Sequence, residues 1–313
     1  MLFNLFLSIV GLVILTIAAD KLVEGAAGVA HRIGISPLVV GLTIVAMGTS
    51  APELVVSVQS SFEGNPGIAV GNCIGSNIFN IAAILGIAAI IRPIAVSRPV
   101  IRRDVPIMIV TAGMAWLYAY DRQFSRFESV FMLLCMISYI AWSIIEARKN
   151  PEAAPPEETP ALQTTLPGEI LRIVLGLVAL VGGSKLLLVG SVGLAKLAGI
   201  SDEVIGLTLI AAGTSMPELA TSVVASFRGQ PDIAVGNVVG SNIFNILGIL
   251  GVAGTLLPLD VSSHMFGIDL PLMVIVSIAC IPIMRSGMVI SRLEGALLIT
   301  GYTVYTVALV MGY

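Results

Sequence analysis

One stretch of this chain occurs twice. Gly48-Thr49-Ser50-Ala51-Pro52-Glu53 lies inside a long apolar run, and Gly213-Thr214-Ser215-Met216-Pro217-Glu218 lies inside another. The surroundings repeat with it. Gly34-Ile35-Ser36 answers to Gly199-Ile200-Ser201, and Gly41-Leu42-Thr43 to Gly206-Leu207-Thr208. Further on, Ile68-Ala69-Val70-Gly71-Asn72 answers to Ile233-Ala234-Val235-Gly236-Asn237, and Gly75-Ser76-Asn77-Ile78-Phe79-Asn80 to Gly240-Ser241-Asn242-Ile243-Phe244-Asn245. The register holds without a gap across three apolar segments, so the chain is two copies of one unit.

Apolar runs long enough to cross a bilayer recur from end to end. Hydrophobic residues make up 57% of the 313 positions and charged residues 11%, with a mean hydropathy of +1.01. A water-soluble fold of this size needs more charge to cover its surface. The expected architecture is therefore an all-α polytopic membrane protein embedded in the lipid bilayer. Its net charge of −3 gives no footprint for nucleic acid. Leu2 to Ala19 has no basic segment before it and reads as a retained helix rather than a signal peptide. Cys73, Cys135 and Cys280 stand alone in apolar segments, as small core side chains do.

About ten spans are expected: 2–30, 37–61, 68–91, 104–120, 124–147, 168–197, 202–227, 233–257, 265–284 and 290–311. They divide into a first five-helix repeat (1–147), a Pro- and Glu-rich cytoplasmic linker (148–167) and a second five-helix repeat (168–313). Five is odd, so the second copy enters the membrane with opposite polarity. Inverted repeats of this kind bind substrate near the midplane where the halves meet. With the N-terminus outside, the inner loops hold Arg32, Arg92, Arg98, Arg102, Arg103, Arg148, Lys149, Arg172, Arg228, Arg285 and Arg292. The outer loops hold Arg122, Arg126 and Lys196. The positive-inside rule then places both termini outside the cell membrane.

A carboxylate at mid-bilayer costs about 2.5–3.5 kcal/mol on insertion scales, which makes Glu53 and Glu218 functional candidates. Pro52 and Pro217 lack an N–H and crowd the preceding turn. The carbonyls of Ala46 to Thr49, and of Ala211 to Thr214, are expected to lose helical partners. Those carbonyls, the hydroxyls of Thr49, Ser50, Thr214 and Ser215 and the two carboxylates form an all-oxygen set suited to Ca2+ or Na+. Ser76 with Asn80, and Ser241 with Asn245, share one helix face and supply an opposite wall, with Asn72 and Asn237 a turn earlier. Each has a plainer reading. The glycines can serve packing alone, Asn80 and Asn245 can be interhelical hydrogen bonds, and the hydroxyls can bond back to their own helix. Asp20, Lys21 and Glu24 read as an interfacial charge cluster or a gate. Two facing carboxylates repel when ionised and empty. One Ca2+, several Na+ or protons can cancel them, and if only the loaded site crosses, exchange is obligatory.

The paired G-T-S-x-P-E and G-N-x-x-G-S-N-I-F-N motifs resemble the α-repeats of the cation/Ca2+ exchanger superfamily, most closely its prokaryotic Na+/Ca2+ exchangers. The resemblance implies a ten-helix fold with inverted halves and a long first and sixth helix that slide during alternating access. It implies that Glu53 and Glu218 bind Ca2+ with the carbonyls of Thr49 and Thr214. It assigns Ala46, Ser76, Ala211, Thr214 and Ser241, with the two glutamates, to Na+, and sets Asn80 and Asn245 at the centre. Some relatives carry Asp at the position of Asn245, K+-dependent exchangers among them, so Asn argues against K+ dependence. The expected function is Na+/Ca2+ antiport by a monomer with no cofactor. The alternatives are a Ca2+/H+ antiporter of the same superfamily and a cation channel. No zincin, Ser/His or phosphate-loop motif points to an enzyme.

Overall fold

The computed structural model describes residues 1–149, 165–199 and 211–311. Most of the expected linker, and the start of the span expected from Asp202, lie outside the described residues. The helices are α1 (Leu2–Ile33), α2 (Pro37–Thr49), α3 (Ala51–Phe62), α4 (Pro66–Ile91), α5 (Val105–Tyr118), α6 (Arg126–Lys149), α7 (Leu166–Leu197), α8 (Ala211–Thr214), α9 (Met216–Phe227), α10 (Pro231–Leu256), α11 (Met265–Arg285) and α12 (Arg292–Val310). Seven of these are individually long and apolar enough to span a bilayer, and α2 with α3 forms an eighth, bent span. The fourth span of the first half is α5, 14 residues led in by a π turn at Val100–Asp104. In the other half, α8 and α9 flank the equivalent break at Ser215.

The chain is thus two five-helix repeats, and equivalent residues are 165 apart (53 and 218, 80 and 245). The π turns repeat too, at Asn80–Leu85 and Asn245–Leu250, and at Val100–Asp104 and Met265–Asp269. In α6 and α12 the spacing becomes 166. Ser125 and Glu128 cap α6 in the same reciprocal pattern by which Ser291 and Glu294 cap α12. Symmetry therefore runs through all five helices, two more than the repeated motifs alone indicate.

Helices α4 and α10 lie at the centre. All of the apolar window of α10 and 78% of that of α4 are buried, against 6% for α12. Glycine sets how closely α10 approaches α2: a Cβ on Gly240 would meet the Leu42 carbonyl at 2.5 Å, and one on Gly236 the Leu38 carbonyl at 2.9 Å. The long helices α1 and α7 pack against each other and form a second apolar layer with Val40, Val45, Ala225 and Ile233. Two short antiparallel ladders tie the halves together. Ile94–Ala95 pairs with Val289–Ile290, and Gln123–Phe124 with Leu259–Asp260.

Candidate cation site

Both second spans are broken at the repeated motif. Ser50 (φ −82, ψ 9) and Ser215 (φ −86, ψ 9) leave helical geometry in the same way, and α2 meets α3 at 43°. The prolines fall in the first turn of α3 and α9. There a missing N–H costs little, so each starts a new helix as it ends the old one. The glutamates follow in those first turns and are 1% exposed.

The break turns two hydroxyls across the interface between halves. Ser50 Oγ donates to Glu218 Oε1 at 2.7 Å, and Ser215 Oγ donates to Glu53 Oε1 at 2.8 Å. Each acid is held by the serine beside the other, which brings the two motifs into one site. Ser215 Oγ also lies 3.1 Å from Ser76 Oγ, and Ser241 Oγ donates to the Ala46 carbonyl at 3.4 Å. Among the described residues the plainer reading of the hydroxyls, bonding within their own helix, is seen in part for Thr49. Its Oγ1 reaches Ala46 O at 3.3 Å and Asn237 Oδ1 at 3.0 Å. Thr214 Oγ1 reaches Asn72 Oδ1 at 3.5 Å.

Asn72 and Asn237 do not present free oxygens. Asn72 Nδ2 donates to Glu53 O at 3.1 Å and Ser57 Oγ at 2.9 Å. Asn237 Nδ2 donates to Glu218 O at 3.3 Å and Ser222 Oγ at 3.0 Å. They brace the main chain just after each break.

The expectation for the carbonyls needs one correction. Ala46 keeps its helical partner, the Ser50 N–H at 3.0 Å, and accepts the two hydroxyls as well. The N–H that a proline lacks is the one four residues beyond its acceptor, so Pro52 deprives Gly48 rather than Ala46. For Ala211 only the main chain is described, at the start of α8.

Asn80 and Asn245 make the interhelical hydrogen bonds of their plainer reading. Asn80 Nδ2 donates to Asn242 Oδ1 at 3.0 Å, and Asn245 Nδ2 to Asn77 Oδ1 at 2.9 Å. Among the described residues their own Oδ1 atoms are buried without a hydrogen-bond partner, as are Oε2 of Glu53 and Oε2 of Glu218. Buried polar atoms are almost always paired. Here four oxygens, two symmetry-related pairs, all acceptors, are left over at the junction of the broken spans with the π turns. A site that lacks only positive partners is complete when a cation supplies them. Asn77 and Asn242 were missed by motif reasoning as part of this arrangement. Their signal was a second asparagine three residues before the first in each copy, too apolar a setting for an idle amide.

The charge cluster of α1 resolves into two ties. Lys21 and Arg172 both bond Glu24 at 2.9 Å, and Arg172 lies 3.4 Å from the fully buried Glu169. Arg228, at the end of α9, donates to Asp20 at 2.6 Å through Nε.

The sodium/calcium exchanger protein family model matches residues 3–145 and again 169–311. The chain is a member of that family. It is 39% identical over 309 residues to the putative antiporter CaxA of Alkalimonas amylolytica, covering 95% of each chain. It is 34% identical over 343 residues to the sodium/calcium exchanger MaX1 of Methanosarcina acetivorans, covering 98% of each. The solved structure of the sodium-calcium exchanger NCX_Mj soaked with zero Na+ and Ca2+ superposes with a TM-score of 0.85 at 30% identity, covering 98% of this chain and 99% of that one. Exchanger-family membership and the shared fold support cation/Ca2+ antiport across a membrane.

Proposed function

We propose that the chain exchanges Na+ for Ca2+ by alternating access, with Glu53 and Glu218 as the central ligands. The observation that carries this reading is the set of four unpartnered buried oxygens on Glu53, Glu218, Asn80 and Asn245. A proton would need only the carboxylates. The two amide oxygens, with the hydroxyls of Ser76 and Ser241 and the carbonyls of Thr49, Ala46, Thr214 and Ala211 nearby in sequence, make sense for metal ions, which gather several oxygens at once. The names and soaks of the relatives point the same way: MaX1 is a sodium/calcium exchanger, and NCX_Mj has been soaked with Na+, Ca2+ and Sr2+.

In this mechanism the ionised, empty pair of acids is costly in a low dielectric. One Ca2+ or more than one Na+ neutralises it, and only the neutralised site moves through the closed intermediate. Ser50 and Ser215 hold one oxygen of each acid and leave the other for the ion. The site is assembled within one chain, which supports action as a monomer. Loop charge supports a multi-pass cell-membrane protein with both termini outside and 148–167 as a cytoplasmic linker between repeats 1–147 and 168–313.

The test is 45Ca2+ flux into proteoliposomes with Na+, K+ and H+ gradients imposed separately. Uptake driven by an outward Na+ gradient at equal pH is expected. Uptake only with a pH gradient would assign the chain to Ca2+/H+ antiport, and flux without counter-ion would make it a channel.

A further inference from the structure

Two asparagines near the site touch none of its four open oxygens directly, yet they decide which way two of them point. Asn77 Nδ2 donates to the main-chain carbonyl of Asn242, and Asn242 Nδ2 to that of Asn77, both at 3.2 Å. Each amide nitrogen also faces a methionine sulfur, Met273 at 3.6 Å and Met108 at 3.7 Å. With the NH2 ends so engaged, the Oδ1 ends can only accept. They accept the Nδ2 groups of Asn245 and Asn80. We propose that Asn77 and Asn242 are positioning residues that fix the polarity of Asn245 and Asn80, so that oxygen and not NH2 is presented to the ion. This rests on the cation-site reading above. A carboxamide turned over at 245 would set its oxygen against the Asn77 oxygen and aim two donors at the ion. The same lock selects an amide at position 245, since Asp there would face the Asn77 oxygen with another acceptor.

Equilibrium 45Ca2+ binding to the purified full chain tests this in Asn77→Ala, Asn245→Ala and the double variant. Asn77→Ala is expected to weaken Ca2+ binding roughly tenfold, within the range for losing one buried hydrogen bond. The double variant is expected to bind no more weakly than Asn245→Ala alone, because one residue acts through the other. Losses that multiply, or unchanged binding in Asn77→Ala, would overturn the proposal. Asn77→Asp keeps the accepting oxygen and is expected to stay within about threefold of the parent. A mere tie to the Asn242 carbonyl would make it as weak as Asn77→Ala, which overturns the proposal too. If Asn77→Ala does not fold, the Asn242/Asn80 cycle gives the same reading. A parent chain that binds no Ca2+ would instead sink the site reading.

A second inference comes from the charges at the ends of the molecule. Asp20 in α1 and Lys185 in α7 are equivalent positions, as are Arg228 after α9 and Glu63 after α3. Asp20 and Arg228 form an ion pair, and α1 packs along α9. At the other end α7 makes no comparable contact with α3. Lys185 is exposed with no ion pair among the described residues, while Glu63 accepts from Gln59 at 2.7 Å. The same pair is therefore encoded twice with its signs exchanged, and is closed once. We infer that Lys185 and Glu63 form the matching pair in a second conformation, where α7 lies along α3 and Asp20 has left Arg228. Exposed pairs of this kind are weak, so neither latch locks the equilibrium.

The test uses Glu63→Cys with Lys185→Cys in a chain whose three native cysteines are replaced, and reads cross-linking by a short bifunctional thiol reagent. A cross-link is expected, and adding Asp20→Asn is expected to speed it several-fold. No cross-link, or a rate indifferent to Asp20→Asn, would overturn the inference whatever ion is carried. In the chain with native cysteines, Glu63→Lys is expected to slow turnover and Glu63→Lys with Lys185→Glu to restore it. Failure of that rescue would also count against the pair.

Discussion

Around the two broken spans, the halves of this molecule are interchangeable: Ser50 serves Glu218 as Ser215 serves Glu53, and Asn77 serves Asn245 as Asn242 serves Asn80. Along α1 and α7 they differ. One end of that helix pair carries Glu169 buried against Gly28, with Arg172 and Glu24 alongside. At the equivalent place on the other end, Asn4 lies against Gly193, and the positions that answer to Arg172 and Glu24 are Leu7 and Val189. On the cation-site reading proposed above, the centre offers an ion the same ligands from either side, and its residues stay paired across the pseudo-axis. The ends only have to open and close, and a sequence is free to build one from ion pairs and the other from neutral contacts.

The largest effects are expected at the acids. Glu53→Gln and Glu218→Gln should each reduce Na+-driven 45Ca2+ uptake by about 100-fold or more, since each removes one of two charges facing the ion. Unequal losses would show that the halves do not share the ion evenly. A smaller effect is expected where α1 meets α7. A Cβ on Gly11 would collide with the Leu187 main chain, whereas one on the equivalent Gly176 meets the Ala18 carbonyl at 3.1 Å. Gly11→Ala should cost about 1–3 kcal/mol, and Gly176→Ala clearly less, in thermal unfolding of the detergent-solubilised chain. Glu169→Gln should cost about 1 kcal/mol or somewhat more through loss of charge next to Arg172, whereas Asn4→Asp, in the first turn of α1, should change stability by about 0.3–1 kcal/mol at most and in the favourable direction. The smallest pair is at the caps. Ser125→Ala and Ser291→Ala should each cost about 1 kcal/mol, and equally, because both capping boxes have the same geometry.

Much of the site was legible before any fold was known, because a carboxylate after a proline inside an apolar run has few structural uses and occurs here twice. Glu53 and Glu218 stand out that way, and Asn80 and Asn245 through the helix face they share with Ser76 and Ser241. Asn77 and Asn242 do not, since nothing local separates an amide that faces an ion from one that orients its neighbour. The Ala46 carbonyl was misjudged because the proline's effect was spread over a turn when it falls on one acceptor. The π turns at Asn80 and Asn245 were invisible for a similar reason: a one-residue widening of a helix leaves the apolar pattern almost unchanged.

The sequence alone determined that this is a membrane protein of two five-helix copies with opposite polarity, because hydropathy, span count and an ungapped repeat are properties of the chain read along its length. It also singled out Glu53 and Glu218 as the acids that the apolar runs carry inward. Only the tertiary structure decided which serine holds which acid, which four oxygens at the junction of the halves are left without a donor among the described residues, and which end of the α1–α7 pair is latched. Those depend on residues about 165 positions apart meeting across a pseudo-axis, and the partner of a buried polar atom is settled by that meeting and not by its neighbours in sequence.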